Sequence, residues 1–271
     1  MTSKLAFSTV ACPDWSLERA LEQARRWGYE GLELRLVDGQ PIGLDVSSAN
    51  RESIGRLLRE SGLGLVAADS SIRLLHDHLD VEIANELVWF LELAAEWSAP
   101  LVRVFGGDAP EGISKEDALA KAVRILDQTA RVAERLGVKI ALETHDSFSA
   151  ASTVARVLAR VPSPYVGVVW DMLDTYRVGE TPEQVWEAIG PRIFNVHVKD
   201  ARRVPDGEGW NLALLGDGEV PAREAISVLR RGGYEGWLVV EWENGWHPAL
   251  EDPDVALSHE IAVLRDWLAG I

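Results

Sequence analysis

Short apolar runs rich in β-branched residues alternate with stretches of helical periodicity along the whole chain. Leu5–Thr9 predicts a first strand, and Leu17, Ala20, Leu21, Ala24 and Trp27 recur at helical spacing directly after it. Gly31–Arg35 predicts strand two, Ser48–Glu60 a helix stopped by Gly62, and Leu63–Asp69 strand three. The alternation continues through a helix over about Asp80–Trp97, a strand at Leu101–Phe105 and a long helix over Ser114–Leu136, whose opening Ser114-Lys115-Glu116-Asp117 reads as a capping box. A strand over Val138–Glu143, a helix over Ala150–Arg160 and a strand over Val166–Asp171 come next. Thr181-Pro182-Glu183 opens helix six with proline at its first position, Ile193–His197 is strand seven, and Pro221–Arg231 is helix seven. Trp237–Glu241 is strand eight and Asp254–Leu268 closes the chain as a helix.

These are eight βα units with no Ser/Gly-rich linker, low-complexity block or charge run between them, which predicts one domain over residues 1–271. Strands that are apolar on both faces belong to parallel sheets covered by helices. Right-handed βαβ crossovers build either a closed barrel or an open doubly wound sheet. No glycine-rich dinucleotide fingerprint follows strand one, which counts against a nucleotide-binding doubly wound fold. The expectation is an α/β protein, a single (β/α)8 barrel of the usual size of about 250 residues, with its active site at the C-terminal mouth of the strands.

That mouth is where the chemistry gathers. Glu143, Asp171, His197 and Glu241 stand at the ends of four successive predicted strands, five to eight. Each alone reads as a solvated or salt-bridged group, but four at equivalent strand ends converge on one place. Three carboxylates buried together repel one another and lose hydration, and a divalent cation removes both costs. One imidazole with three carboxylates is a hard, oxygen-rich set, so one divalent ion is expected, Mn²⁺ first, with Mg²⁺, Co²⁺ or Zn²⁺ as alternatives.

Composition narrows the setting. Hydrophobic residues make up 47% of the 271, enough for a sizeable core, and the net charge of −16 opposes binding to nucleic acid. Cys12 is the only cysteine, which excludes an internal disulfide and suits a reducing, cytoplasmic location. The first strand is too short for a signal peptide, and charged residues interrupt every apolar segment before the ~20 residues of a membrane span.

The segments Ile140-Ala-Leu-Glu-Thr-His-Asp, Gly167-Val-Val-Trp-Asp, Asn195-Val-His-Val-Lys-Asp and Val240-Glu-Trp-Glu carry a resemblance that extends over essentially the whole chain. The chain resembles the xylose isomerase-like TIM barrels, specifically the sugar phosphate isomerase/epimerase group with its keto-sugar epimerases, inosose isomerases and dehydratases, and endonuclease IV. The resemblance implies that Glu143, Asp171, His197 and Glu241 are metal ligands and that Glu143 and Glu241 form the acid/base pair. It also implies Arg203, six residues after His197, as a substrate-orienting arginine, with Arg202 competing for the role. The family often has His three residues after the strand-six Asp; this chain has Asp174, which leaves the substrate or the proton path open. An endonuclease IV activity is not expected: Asp69 stands where that enzyme has a strand-three His, Phe105-Gly106-Gly107 offers none at strand four, and the charge is acidic.

Weaker candidates surround the cluster. Glu33 at the end of strand two is expected either to bond a sugar hydroxyl or to pair with Arg35 or Arg103. His145 and Lys199 are candidate substrate groups, with a plain loop histidine and an ordinary ion pair as the alternatives. His76 and His78 flank Asp77 in a loop. Gly106-Gly107 and Gly216-Asp217-Gly218 read mainly as turns. Among the 11 tryptophans, Trp15, Trp170, Trp210, Trp242 and Trp246 fall near mouth loops, where an indole can stack on a sugar ring. The Glu243–His247 segment and the 202–219 loop are candidates for reaching a partner subunit in a homodimer or homotetramer.

The expected function is isomerisation or epimerisation of a keto-sugar or keto-cyclitol, phosphorylated or not, by proton transfer through an enediolate. Alternatives are a lyase on the same scaffold (an inosose or dehydroshikimate dehydratase, or a C-glycoside-cleaving enzyme) and a non-catalytic sugar-binding barrel.

Overall fold

The computed structural model describes residues 3–205 and 209–270. Eight parallel strands close into a barrel: β1 (Lys4–Ser8), β2 (Gly31–Leu34), β3 (Gly64–Arg73), β4 (Leu101–Phe105), β5 (Lys139–Glu143), β6 (Val166–Asp171), β7 (Ile193–Val198) and β8 (Trp237–Val240), with β8 pairing back onto β1. The helices α1 (Leu17–Trp27), α2 (Ser48–Ser61), α3 (Asp80–Trp97), α4 (Lys115–Leu136), α5 (Ala151–Leu158), α6 (Met172–Arg177), α7 (Pro182–Ile189), α8 (Ala222–Arg231) and α9 (Pro253–Gly270) follow in chain order. The expected single (β/α)8 TIM barrel is the fold observed.

Helix boundaries follow from their caps. Ser16, Ser47, Ser114 and Thr181 each accept a backbone N–H in the first turn, a contact worth about 1 kcal/mol. At Ser114 the hydroxyl also donates to Asp117 Oδ2 at 2.6 Å, so the reciprocal half of a capping box is replaced by a side-chain pair. Thr181 and Gln184 form the reciprocal box, with Pro182 at the first helical position.

The barrel departs from expectation in three places that shape its mouth. Strand β3 runs on to Arg73 through an irregular register after Asp69, stitched by Ser70, whose hydroxyl donates to the Arg103 carbonyl at 2.7 Å. Helix α6 starts directly from the end of β6 because the Asp171 side chain caps it, accepting from Asp174 N at 3.0 Å. The segment after β7 folds into a hairpin, Asp200–Arg203 against Trp210–Ala213, in place of an open loop; residues 206–208 within it lie outside the described residues.

Asp200 anchors that hairpin. Its carboxylate accepts from Ala201 N and Val220 N through Oδ1 and from Gly216 N and Gly218 N through Oδ2, all at 2.8–3.0 Å. The Gly216–Gly218 amides are therefore engaged within the fold, as a turn reading requires. Gly167 in β6 is obligatory for a different reason: a Cβ there would run into the Phe194 ring and the Arg192 carbonyl.

No helix among the described residues is long and apolar enough to cross a membrane.

Candidate active site

The barrel brings the four strand-end residues together. Glu143 and Asp171 close β5 and β6, His197 lies in β7 in register with Asp171, and Glu241 follows the last residue of β8. One ligand atom from each can be chosen so that all four lie within 4.8 Å of one another, and all four residues are buried. His197 Nδ1 is 3.0 Å from Glu143 Oε1 and 3.1 Å from Glu241 Oε2. The donor set is three carboxylates and one imidazole, and Glu143 Oε2, Asp171 Oδ2 and Glu241 Oε2 are each met by a buried cationic side chain. A hard divalent cation fits those donors, since three carboxylates and one imidazole gather ligand atoms within 4.8 Å of one another and their negative charge already draws buried cations.

Basic side chains meet the cluster from two sides. Lys199, two residues beyond His197 and on the same face of its strand, places Nζ 2.7 Å from Asp171 Oδ2 and 2.5 Å from both Glu241 Oε2 and Glu243 Oε1. Arg103, in the middle of β4, donates from Nη1 to the Ser70 carbonyl at 3.1 Å. Its Nη2 meets Asp69 Oδ2 and its Nε meets Glu143 Oε2, both at 3.2 Å.

These pairings set the charge states. Burial raises the Glu143 carboxyl, but Arg103 and His197 outweigh it and hold it down to about 2. Glu241 is likewise held well below the usual range, against its burial, by His197 and Lys199. His197 is driven well above an ordinary imidazole, because Glu241, Glu33 and Glu143 overcome the effect of burial. Buried Asp171 is raised in spite of Lys199. An imidazole so placed stays charged unless another cation takes its place among the carboxylates.

The remaining candidates separate. Lys199 joins the cluster. Asp174 lies at its edge, Oδ1 2.9 Å from Arg177 Nη1 and Oδ2 3.7 Å from His145 Nε2; burial and the neighbouring Asp171 push its carboxyl up to about 7. His145 is half-buried against Phe105, and although burial lowers it, Asp146 and Glu143 raise it to about 9. Arg203 is exposed on the hairpin, its guanidinium 5.0 Å over the Trp210 ring, so the fold does not bring it into the cluster. Neither Arg35 nor Arg103 pairs with Glu33. That carboxylate is fully buried, takes a 2.6 Å hydrogen bond from Asn195 Nδ2 and sits 3.0 Å from His197 Nε2. It therefore lies among the barrel's buried groups, beside His197.

The mouth tryptophans also sort by burial. Trp170 and Trp242 are core residues, their indole N–H groups donating to Thr175 Oγ1 and the Glu251 carbonyl, and Trp15 is buried against Trp27. Trp246 is 49% exposed, with the Arg35 guanidinium 5.4 Å from its ring, and half-buried Trp210 meets Tyr176 of α6 edge to face. His76 and His78 pack ring to ring at 4.3 Å in a loop whose carbonyls are held by Lys121 Nζ.

Asn195, Arg103 and Asp69 were not among the expected site groups, although the sequence carries a signal for each. Asn195 shares the face of His197 by period-two alternation, and a charge within Leu101-Val-Arg-Val-Phe has to find a buried partner.

Comparison with known proteins agrees with the fold. The chain belongs to the xylose isomerase-like TIM barrel family, whose model matches residues 21–267. It is 21% identical over 237 residues to a fructoselysine 3-epimerase of Escherichia coli O157:H7, covering 83% of this chain and 85% of that one. It is 26% identical over 254 residues to an inosose isomerase of Bacillus licheniformis, covering 88% of each. Among solved structures, the IolI protein with a bound zinc atom superposes with a TM-score of 0.85 at 21% identity over 98% of both chains. A probable 3-DHS dehydratase of Bacillus anthracis, AsbF, superposes with a TM-score of 0.78 at 18% identity, over 97% of this chain and 98% of that one.

Proposed function

From that membership, we propose that the chain is a divalent-cation-dependent isomerase or epimerase acting on a keto-sugar or keto-cyclitol, with Glu143 and Glu241 as the proton-transfer pair. One observation carries the reading: two ionised glutamates flank the same imidazole nitrogen of His197 at 3.0 and 3.1 Å, within a donor set suited to a cation. A bound divalent ion supplies electrophilic stabilisation of the negative charge that develops when an α-hydroxyketone loses its α-proton.

The protein's own groups divide the remaining work. Arg103 keeps Glu143 ionised, so it can accept a proton; Lys199 does the same for Glu241. A base on one face of the enediolate gives isomerisation, and a second on the opposite face permits epimerisation. Mn²⁺ suits the oxygen-rich set best, and the zinc of the IolI neighbour makes Zn²⁺ the next to test. We place the enzyme in the cytoplasm, where its buried Cys12 stays reduced, as a single domain over residues 1–271 that assembles as a homodimer or homotetramer.

Asp174 and His145 favour a second reading, a dehydratase. Their side chains approach to 3.7 Å at the edge of the cluster, where an acid can protonate a departing β-hydroxyl. The inosose isomerase likeness points to a ketone substrate in either case. The test is incubation of cation-loaded enzyme in deuterium oxide with a panel of ketoses and inososes. Deuterium gain at constant composition supports the isomerase; product lighter by one water supports the dehydratase. Tight binding with neither outcome defeats both and leaves a sugar-binding barrel.

A further inference from the structure

The two ring nitrogens of His197 face different surroundings. Nδ1 looks toward Glu143 and Glu241, the proposed cation site, at 3.0 and 3.1 Å. Nε2 looks away from it, to Glu33, whose Oε1 is 3.0 Å and Oε2 3.2 Å distant. Glu33 reaches His197 from β2, with β1 and β8 lying between β2 and β7 in the closed barrel. Asn195, two residues before His197, donates to Glu33 Oε2 at 2.6 Å. Glu33, Asn195 and His197 are each 0% exposed.

We propose that Glu33, fixed in turn by Asn195, is a positioning residue: it accepts the Nε2 proton of His197 and so presents Nδ1, free of a proton, to the cation. The inference rests on the metal-centre reading above. A metal-bound imidazole commonly donates its second N–H to a carboxylate, which sets the tautomer and the ring plane and raises the basicity of the ligating nitrogen. Here that carboxylate comes from a distant strand, with Oε2 held by Asn195 and both oxygens 3.0–3.2 Å from Nε2.

The same atoms admit one rival arrangement. Glu33, Asp69 and His197 also bring ligand atoms within 4.8 Å of one another, so a second cation could sit on Nε2 with the imidazole bridging two metals. One observation opposes it: Asn195 Nδ2 already occupies Glu33 Oε2 at 2.6 Å.

Glu33→Gln separates these arrangements. A glutamine has one accepting oxygen to share between Asn195 and His197. If Asn195 takes it, the amide N–H₂ faces Nε2 and moves the imidazole proton to Nδ1, where the cation must bind. We expect Zn²⁺ affinity, measured on chelator-stripped protein by competition with a chromophoric chelator, to fall about 10- to 100-fold while one ion per chain is retained. The visible spectrum of the Co²⁺-loaded variant should differ from that of the wild type, a change that loss of packing alone does not give. Circular dichroism of the stripped proteins tests folding. Should Glu33→Gln fail to fold, Asn195→Ala serves, with a smaller loss in the same direction, at most about 10-fold. Unchanged affinity and an unchanged Co²⁺ spectrum in the folded variant overturn the proposal. So do two ions per wild-type chain falling to one in Glu33→Gln, which would make Glu33 a ligand. A wild-type chain that binds no divalent ion removes the metal-centre reading itself, an outcome distinct from equal binding by both proteins.

Discussion

Arg103 holds Glu143 from inside the barrel, its Nε 3.2 Å from Glu143 Oε2 while Nη2 reaches Asp69 Oδ2 at the same distance. One fully buried guanidinium thus serves two buried carboxylates, with its Cζ 3.9 Å from the Phe105 ring centroid. Removing one member of a buried charge network leaves its partners uncompensated, which costs about 3–5 kcal/mol. Arg103→Met should therefore lose stability on that scale in urea denaturation. The pH effect has a definite sign. Without Arg103 the Glu143 carboxyl rises from about 2, so the acid limb of kcat/KM moves to higher pH. An Arg103→Met enzyme with wild-type stability and an unmoved acid limb would remove Arg103 from this role.

Glu143 and Glu241 are expected to carry the proton between substrate and solvent. Glu143→Gln and Glu241→Gln keep the side-chain volume and remove the base, so each should lower turnover by at least about 10²–10⁴-fold, the usual contribution of a positioned acid or base. Wash-in of deuterium at the substrate α-carbon is the direct readout. An epimerase should also show a split: a variant lacking one base can still exchange the proton on one face while failing to deliver it to the other. Near-wild-type exchange and turnover in both variants is incompatible with the pair.

The strand ends were legible because they combine two constraints that a sequence records: an apolar run of the right length and a charged residue where it stops. Glu143, Asp171, His197 and Glu241 stand out on that basis alone, as does the eightfold alternation behind the barrel. Depth was not legible. Glu33 lies within β2 and Glu241 just past β8, and Glu33 is turned to His197 Nε2 while Glu241 meets Nδ1, a difference that appears only once the barrel closes. Arg203 illustrates the converse. The family resemblance implied a substrate-orienting role for it, and the hairpin organised by Asp200 places it exposed over Trp210, outside the cluster. Helix α6 leaves little trace in the sequence, because its six residues carry little periodicity and its cap, Asp171, is also the last residue of β6.

Chelation should be visible in stability as well as activity. An ion bound to the folded state alone stabilises it by about 2.7 kcal/mol at a hundredfold excess over Kd, which for a chain of this size raises Tm by about 5 °C or more. Scanning calorimetry of EDTA-stripped protein before and after addition of Mn²⁺, Mg²⁺ or Zn²⁺ should show that rise and rank the ions. Asp171→Asn should abolish most of it. A wild-type Tm indifferent to all three ions would contradict a cation held by these four groups.

Away from the cluster, Glu260 on α9 predicts a pH dependence of stability. Both its carboxyl oxygens lie 3.2 Å from Leu215 N, and the side chain is buried. Burial, outweighing the Leu215 hydrogen bond and reinforced by Asp200, Asp217 and Glu251, raises its carboxyl from 4.5 to about 8. The folded chain therefore binds this proton more tightly than the unfolded chain. Below pH 4.5 both states are protonated and the group costs nothing. Between 4.5 and 8 the unfolded state ionises first, and folding loses up to about 1.4 kcal/mol per pH unit from this group until the loss is complete. Glu260→Gln keeps an acceptor for Leu215 N and has no proton to lose. In urea denaturation the variant should thus be more stable than wild type at pH 8.5, with the gap closing by pH 5 as both proteins carry a neutral side chain. Comparing the two proteins at each pH cancels every other titrating group, so a difference independent of pH would show that Glu260 is not held protonated in the fold.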